Sequence, residues 1–197
     1  LGWEKLGSTK LTSAGDTITV SDITAKKHLM VQLHGIGTGG TINCNMTFNS
    51  DTGTNYAIRE SINGGSDSTN VSQANTDNLT GTVTGDVSAT LYIINESSKE
   101  KLFVSEGLES ASGAGNAPER KEMVGKWSNT SAQITTITAN NGGTGSFDVG
   151  SELTVYGYNE SAFVSSINLQ DNSIWEETDT GKHQIWNSTT NTWTEIA

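Results

Sequence analysis

Ile42-Asn43-Cys44-Asn45-Met46-Thr47-Phe48 places four apolar side chains at alternate positions, with Asn or Thr between them. A period of two is the spacing of a strand that buries one face and wets the other. Cys44 falls on the apolar face. As the sole cysteine it has no internal disulfide partner, and it reads as a small buried hydrophobe rather than a reactive thiol. Upstream, Leu29-Met30-Val31-Gln32-Leu33 is almost continuously apolar, the pattern of a central strand. The glycine-rich stretch Gly35–Gly40 is expected to join these two strands as a hairpin loop.

The same reading extends outward in both directions. Short β-type runs recur at Thr17–Val20, Tyr56–Glu60, Val87–Asn95, Lys101–Ser105, Glu122–Trp127, Gln133–Ala139 and Glu152–Gly157. Ile134 and Ile137 break the alternation of their run, so a bulge or an ambiguous face is expected there. Asn95–Lys99 and Asn140–Gly145 carry turn chemistry, and nothing reads as a helix. Two long stretches, Ser61–Asp86 and Gly107–Pro118, hold little that can pack, and are expected as loops that bind or move. About eight strands with Gly-rich turns predict an all-β antiparallel β-sandwich, jelly-roll-like, over residues 1–157.

Residues 158–173 read as a connector, and 174–197 as a Trp-rich terminal hairpin or meander. Trp175 and Trp186 lie on the two arms of a turn at Asp179-Thr180-Gly181, and a second reversal returns Trp193 along the same sheet. Three Trp in so small an element predict an aromatic core of its own.

Composition bounds the function. Hydrophobic residues make up only 32% of the 197, which suits two thin sheets and predicts that partner subunits bury additional area. A net charge of −11 argues against binding nucleic acid, which demands a basic face. No run approaches the ~18 apolar residues of a membrane helix, and no signal-peptide pattern heads the chain, though Leu1 leaves a removed leader open.

Motifs for catalysis are missing: there is no nucleophile elbow, no P-loop and no His-x-x-x-His pair. His28 and His34 sit at opposite ends of one expected strand, roughly 20 Å apart, too far to share a metal. His183 reads as a solvated position on the terminal hairpin. Asp67, Asp77 and Asp86 could supply carboxylates to a calcium site but read better as turn formers. Glu176, Glu177 and Asp179 read as a charged edge that resists strand pairing. No enzyme, cofactor or metal site is therefore expected. Trp175, Trp186 and Trp193 are the candidate binding residues, for a sugar or a subunit, since indole faces stack on sugar rings and also fill small cores.

Two segments carry a resemblance. Ser146–Gly157, with Gly125–Thr130 and Ile134–Ile137 before it, resembles a strand arrangement near the end of β-rich virion proteins of tailed phages. Glu177-Thr178-Asp179-Thr180-Gly181-Lys182, followed by Trp186 and Trp193, is similar to a hairpin at the ends of phage tail and capsid-accessory proteins. The resemblance implies a non-enzymatic structural protein on the virion surface, a capsid decoration or head fibre. Its implied partners are its own copies, a trimer first, and major capsid or other virion proteins. The alternative is a tail-fibre, receptor-binding or carbohydrate-binding module that meets a host-surface glycan.

Overall fold

In a computed structural model, residues 2–110, 113–159, 173–176, 182–187, 189–190 and 192–196 are described. The chain divides into two units, Leu1–Asn159 and Glu160–Ala197. Every regular element among the described residues is a strand, and the sheets are antiparallel, so the fold is the all-β sandwich that the sequence predicts.

The first unit contains β1 (Glu4–Lys10), β2 (Thr17–Val20), β3 (His28–Gly35), β4 (Gly37–Thr38), β5 (Ile42–Phe48), β6 (Tyr56–Ile62) and β7 (Ser68–Gln73). They are followed by β8 (Thr82–Val83), β9 (Val87–Ile94), β10 (Lys101–Glu109), β11 (Glu119–Trp127), β12 (Ile137–Asn141), β13 (Ser146–Phe147) and β14 (Glu152–Tyr158). Eight strands form one sheet in the order β1-β14-β3-β9-β10-β11-β6-β7, and four form the other in the order β2-β12-β5-β8. A short β13–β4 ladder stands apart.

Alternation explains the layers. Ile42, Cys44, Met46 and Phe48 of β5 are all without solvent exposure, as are Leu29 and Val31 of β3. They meet Leu91, Phe103, Trp127, Leu153 and Val155 in one continuous core. Each such side chain contributes about 1.5–3 kcal/mol on burial. Phe48 stands edge-on to Trp127 and Phe103, with ring centroids 6.0 and 6.1 Å apart, at the centre of that core.

The structure corrects four expectations. Gly35–Gly40 is not a hairpin between paired strands: β3 and β5 lie in different sheets, and the glycines carry the chain across. At Gly37 an added Cβ would stand 2.6 Å from the Gly85 carbonyl oxygen, so this crossing has no room for a side chain. Ser61–Asp86 is not one long loop, because it holds β7 and β8. Gly107–Pro118 is shorter than expected as a loop, since β10 runs on to Glu109.

The fourth correction concerns Gln133–Ala139, where the strand begins only at Ile137 and no bulge is needed. Residues 133–136 are held by the Ile23 and Asn49 amides, which donate to the Thr135 and Thr136 carbonyls at 2.9 Å, and by side chains. Asn49 Oδ1 accepts the Thr135 and Thr136 amides at 2.8 and 3.1 Å, and Asn49 Nδ2 donates to the Gln133 carbonyl at 2.8 Å. The fully buried Asn95 accepts the Ile134 amide at 2.6 Å and donates to the Lys26 carbonyl at 3.0 Å. Backbone groups satisfied in this way need no ladder, and Ile134 still reaches the core.

In the second unit, β15 (Ile174–Glu176), β16 (His183–Asn187) and β17 (Thr192–Ile196) form a three-stranded antiparallel sheet in chain order. The expected turn at Asp179-Thr180-Gly181 and residues 160–172 of the expected 158–173 connector lie outside the described residues, while Tyr158 ends β14.

Candidate functional site

An antiparallel sheet that faces water on one side ordinarily carries polar residues there. The outer face of the eight-stranded sheet departs from that rule on its central strands. Tyr92 and Ile94 of β9, Leu102 and Val104 of β10, and Val124 of β11 all point outward, and each is 43–52% exposed. Their strand neighbours Ile93, Phe103 and Met123 point into the core. Tyr92-Ile93-Ile94, Leu102-Phe103-Val104 and Met123-Val124 are therefore apolar on both faces. This is the composition of strands that are covered on both sides.

The registers assemble these residues into two rows across the sheet. One runs Tyr158–His28–Ile94–Leu102–Lys126–Ala57, from β14 to β6. The next runs Tyr156–Met30–Tyr92–Val104–Val124–Arg59. Neither row contains a carboxylate, in a chain with 22 Asp and Glu against 11 Lys and Arg. The charges in these rows are the cations Lys126 and Arg59, at the β11–β6 end. A third row is acidic, with Glu106 directly opposite Glu122.

The two apolar rows floor a depression of about 800 Å³, bounded by Trp3 and Tyr158 on one side and by Thr69 and Val71 of β7 on the other. Aromatic rings gather at the first end. Trp3 stands edge-on to Tyr158 at 4.8 Å, Tyr158 stacks on His28 at 4.6 Å, and Tyr92 lies 6.3 Å from Trp3. An adjoining depression of about 470 Å³ continues across Arg59, Val104 and Val124 to Glu106, Glu122 and Asp67. Chemically the face is an apolar floor with an aromatic end, a margin of ion pairs (Lys126 with Glu100 at 2.9 Å, Arg59 with Asp67 at 3.5 Å) and a carboxylate flank.

The residues singled out from the sequence lie elsewhere. Trp186 and Trp193 are cross-strand partners on β16 and β17, half-buried, with ring centroids 5.3 Å apart. They pack on one another within the second unit. Trp175 is on β15, and its side chain lies outside the described residues. His28 and His34 take opposite ends of β3, and His183 opens β16.

Asp67 is 3.5 Å from Arg59, and Asp77 accepts a 2.6 Å hydrogen bond from Asn70. Among the described residues no three His, Cys, Asp or Glu side chains converge on a metal-sized site. Cys44 is fully buried, and burial pushes its thiol pKa far up, which leaves it a core side chain.

Trp3, Tyr92, Ile94, Leu102, Val104 and Val124 were not among the sequence candidates. The available signal was the consecutive apolar residues Tyr92-Ile93-Ile94, Leu102-Phe103-Val104 and Met123-Val124 in three successive strands. The sequence matches no known protein-family model, and a search of curated proteins finds no match.

Proposed function

We propose that this chain is a non-enzymatic structural protein of a tailed-phage virion, a capsid decoration or head fibre displayed on the particle surface. It associates there with its own copies and with major capsid or other virion proteins. One observation carries the reading: the five half-exposed apolar side chains on the central strands of the large sheet form a patch that demands a macromolecular cover. The resemblance of the Ser146–Gly157 and Glu177–Lys182 sequences to virion proteins supplies the setting. A polar, acidic exterior suits a surface exposed to solvent at high local copy number.

Electron microscopy of the source particle, with density fitted to this chain, tests the proposal. Symmetric copies on the capsid lattice are the expected result. Absence of the chain from purified particles overturns it.

A second reading, receptor or glycan binding at a fibre tip, is favoured by the aromatic end of the depression. Trp3 is 41% exposed there beside Tyr158 and His28. A glycan array probed with wild type and with Trp3→Ala separates the two readings, since only glycan binding depends on that indole.

A further inference from the structure

We infer that a third depression on the large sheet, over β1, β14, β3 and β9, is a binding site for an uncharged saccharide. This goes beyond both readings above. It places the sugar away from the aromatic end at Trp3, and it holds whether or not the chain sits on a particle.

The registers lay the site out in three successive rows. Lys5 stands opposite Tyr156; Gln32 lies between Thr154 and Thr90; His34 lies between Glu152 and Ser88. Together they line a depression of about 440 Å³, within the ~300–1,000 Å³ of small-ligand sites. Thr154 points outward yet is only 8% exposed, sunk beneath its neighbours as the floor.

Elsewhere in the chain, polar side chains are consumed by the protein itself. Asn49, Asn63, Asn95 and Asn129 accept from backbone amides. Arg59, Arg120 and Lys126 are ion-paired. Here the pattern changes: Lys5, Gln32, His34, Thr90 and Tyr156 make no side-chain hydrogen bond or ion pair with any described residue.

Glu152 shows where these groups are aimed. It is the direct cross-strand partner of Lys10, but no ion pair joins them. Its Oε1 accepts instead from Thr154 Oγ1 at 3.2 Å, which holds the carboxylate over the depression and leaves Oε2 an open acceptor. Groups already fixed on paired strands lose little freedom when a ligand arrives.

The lining selects the ligand class. The Lys5 ammonium and the Glu152 carboxylate cancel, so an anion meets Glu152 and a cation meets Lys5. Amide, imidazole and hydroxyl groups both donate and accept, as the hydroxyls of a sugar do. The Tyr156 ring offers an apolar face to the C–H side of a pyranose. Neighbouring polar groups lie ~4.8 Å apart across strands and ~6.8 Å apart along them, the scale of a sugar ring.

Saturation-transfer difference NMR on the whole purified chain tests this. Lactose, maltotriose, cellotriose and diacetylchitobiose are the uncharged probes, and sialyllactose is the charged one. At least one uncharged probe is expected to bind with Kd of about millimolar order or tighter. Gln32→Ala and Glu152→Gln are each expected to weaken it about 10-fold with unchanged far-UV circular dichroism, since both side chains face outward. Trp3→Ala, outside this depression, leaves the affinity within about 2-fold.

No uncharged probe bound at about 10 mM overturns the inference. So does binding of sialyllactose alone, or binding indifferent to both the Gln32 and Glu152 variants. Binding lost only in Trp3→Ala overturns it too, and returns the sugar to the aromatic end. The virion proposal fails separately, by absence of the chain from particles.

Discussion

The Trp127 indole donates a 2.7 Å hydrogen bond to Asp51 Oδ2, joining β11 of the large sheet to the turn that leaves β5 of the small one. Asp51 also accepts from the Gly53 amide at 2.8 Å and from Asn55 Nδ2 at 2.9 Å. Burial alone would raise the Asp51 pKa, but these hydrogen bonds outweigh it and hold the carboxyl below its ordinary 3.8.

A depressed carboxylate pKa adds stability that is fully present above about pH 3.8 and lost as pH falls through the lower folded value. Asp51→Asn is expected to destabilise the first unit by about 1 kcal/mol at neutral pH. The loss should shrink in strong acid, because both proteins then present a neutral acceptor to Trp127. Urea midpoints across pH 7 to about pH 2 check this; a loss of equal size at every pH contradicts the ionic contribution.

Glu109 and Glu119 face each other across the β10–β11 pair. Burial first, and the Glu119 charge second, raise the Glu109 pKa above 4.5. An acid raised on folding is destabilising when ionised: the penalty is present above the folded pKa and disappears as pH falls below 4.5. Glu109→Gln is therefore expected to stabilise by about 0.5 kcal/mol at pH 7 and by nothing near pH 3. Thermal melts at the two pH values decide it, and a gain retained in acid would point to packing rather than charge.

Lys101 lies on the inner face with no solvent exposure, just beneath the surface. Its ammonium donates to the carbonyls of Lys99 and Asn129 at 2.7 and 2.8 Å and sits 5.7 Å from the Trp127 ring centroid. Desolvation lowers its pKa, so part of what these contacts contribute is offset. Lys101→Ala, which leaves a cavity and two unpaired carbonyls, is expected to cost about 2–4 kcal/mol. Lys101→Met keeps the stem and removes the desolvation penalty, and should cost less than half as much. Chemical denaturation ranks the pair, and equal losses would count against the packing role of the stem.

Gly107, on the inner face of β10, lies directly under the 76–81 segment. An added Cβ there would stand 1.8 Å from the Leu79 carbonyl oxygen. Since that atom is backbone, the segment must lift, and with it Leu79, which has no solvent exposure. Gly107→Ala is expected to destabilise by at least about 2 kcal/mol. Hydrogen exchange should show the loss first at the Thr76 and Leu79 amides, which bond to the Met46 and Cys44 carbonyls. Protection there equal to wild type contradicts the account.

What the sequence determined alone is the class of fold and the inward set of most central strands. Alternation in Ile42–Phe48 is local information, because only one pleated arrangement puts all four apolar residues on one side. The edge strands β1 and β7 escaped it. Glu4–Lys10 and Ser68–Gln73 pair through backbone groups and bury little, so neither sequence carries a strand pattern. Residues 133–136 escaped for the opposite reason: an apolar residue reaches the core while the side chains of distant Asn49 and Asn95 take several of the backbone hydrogen bonds.

Tertiary structure alone decided which strands become neighbours and what each face presents. Leu102, Val104 and Val124 look like ordinary core residues in the sequence, since periodicity counts apolar positions and cannot say that the far side of the sheet is bare. Only the β3-β9-β10-β11-β6 order lines them up with Tyr92 and Ile94 into one apolar patch. Strand order arises from long-range pairing among segments far apart in sequence, and no local pattern encodes it.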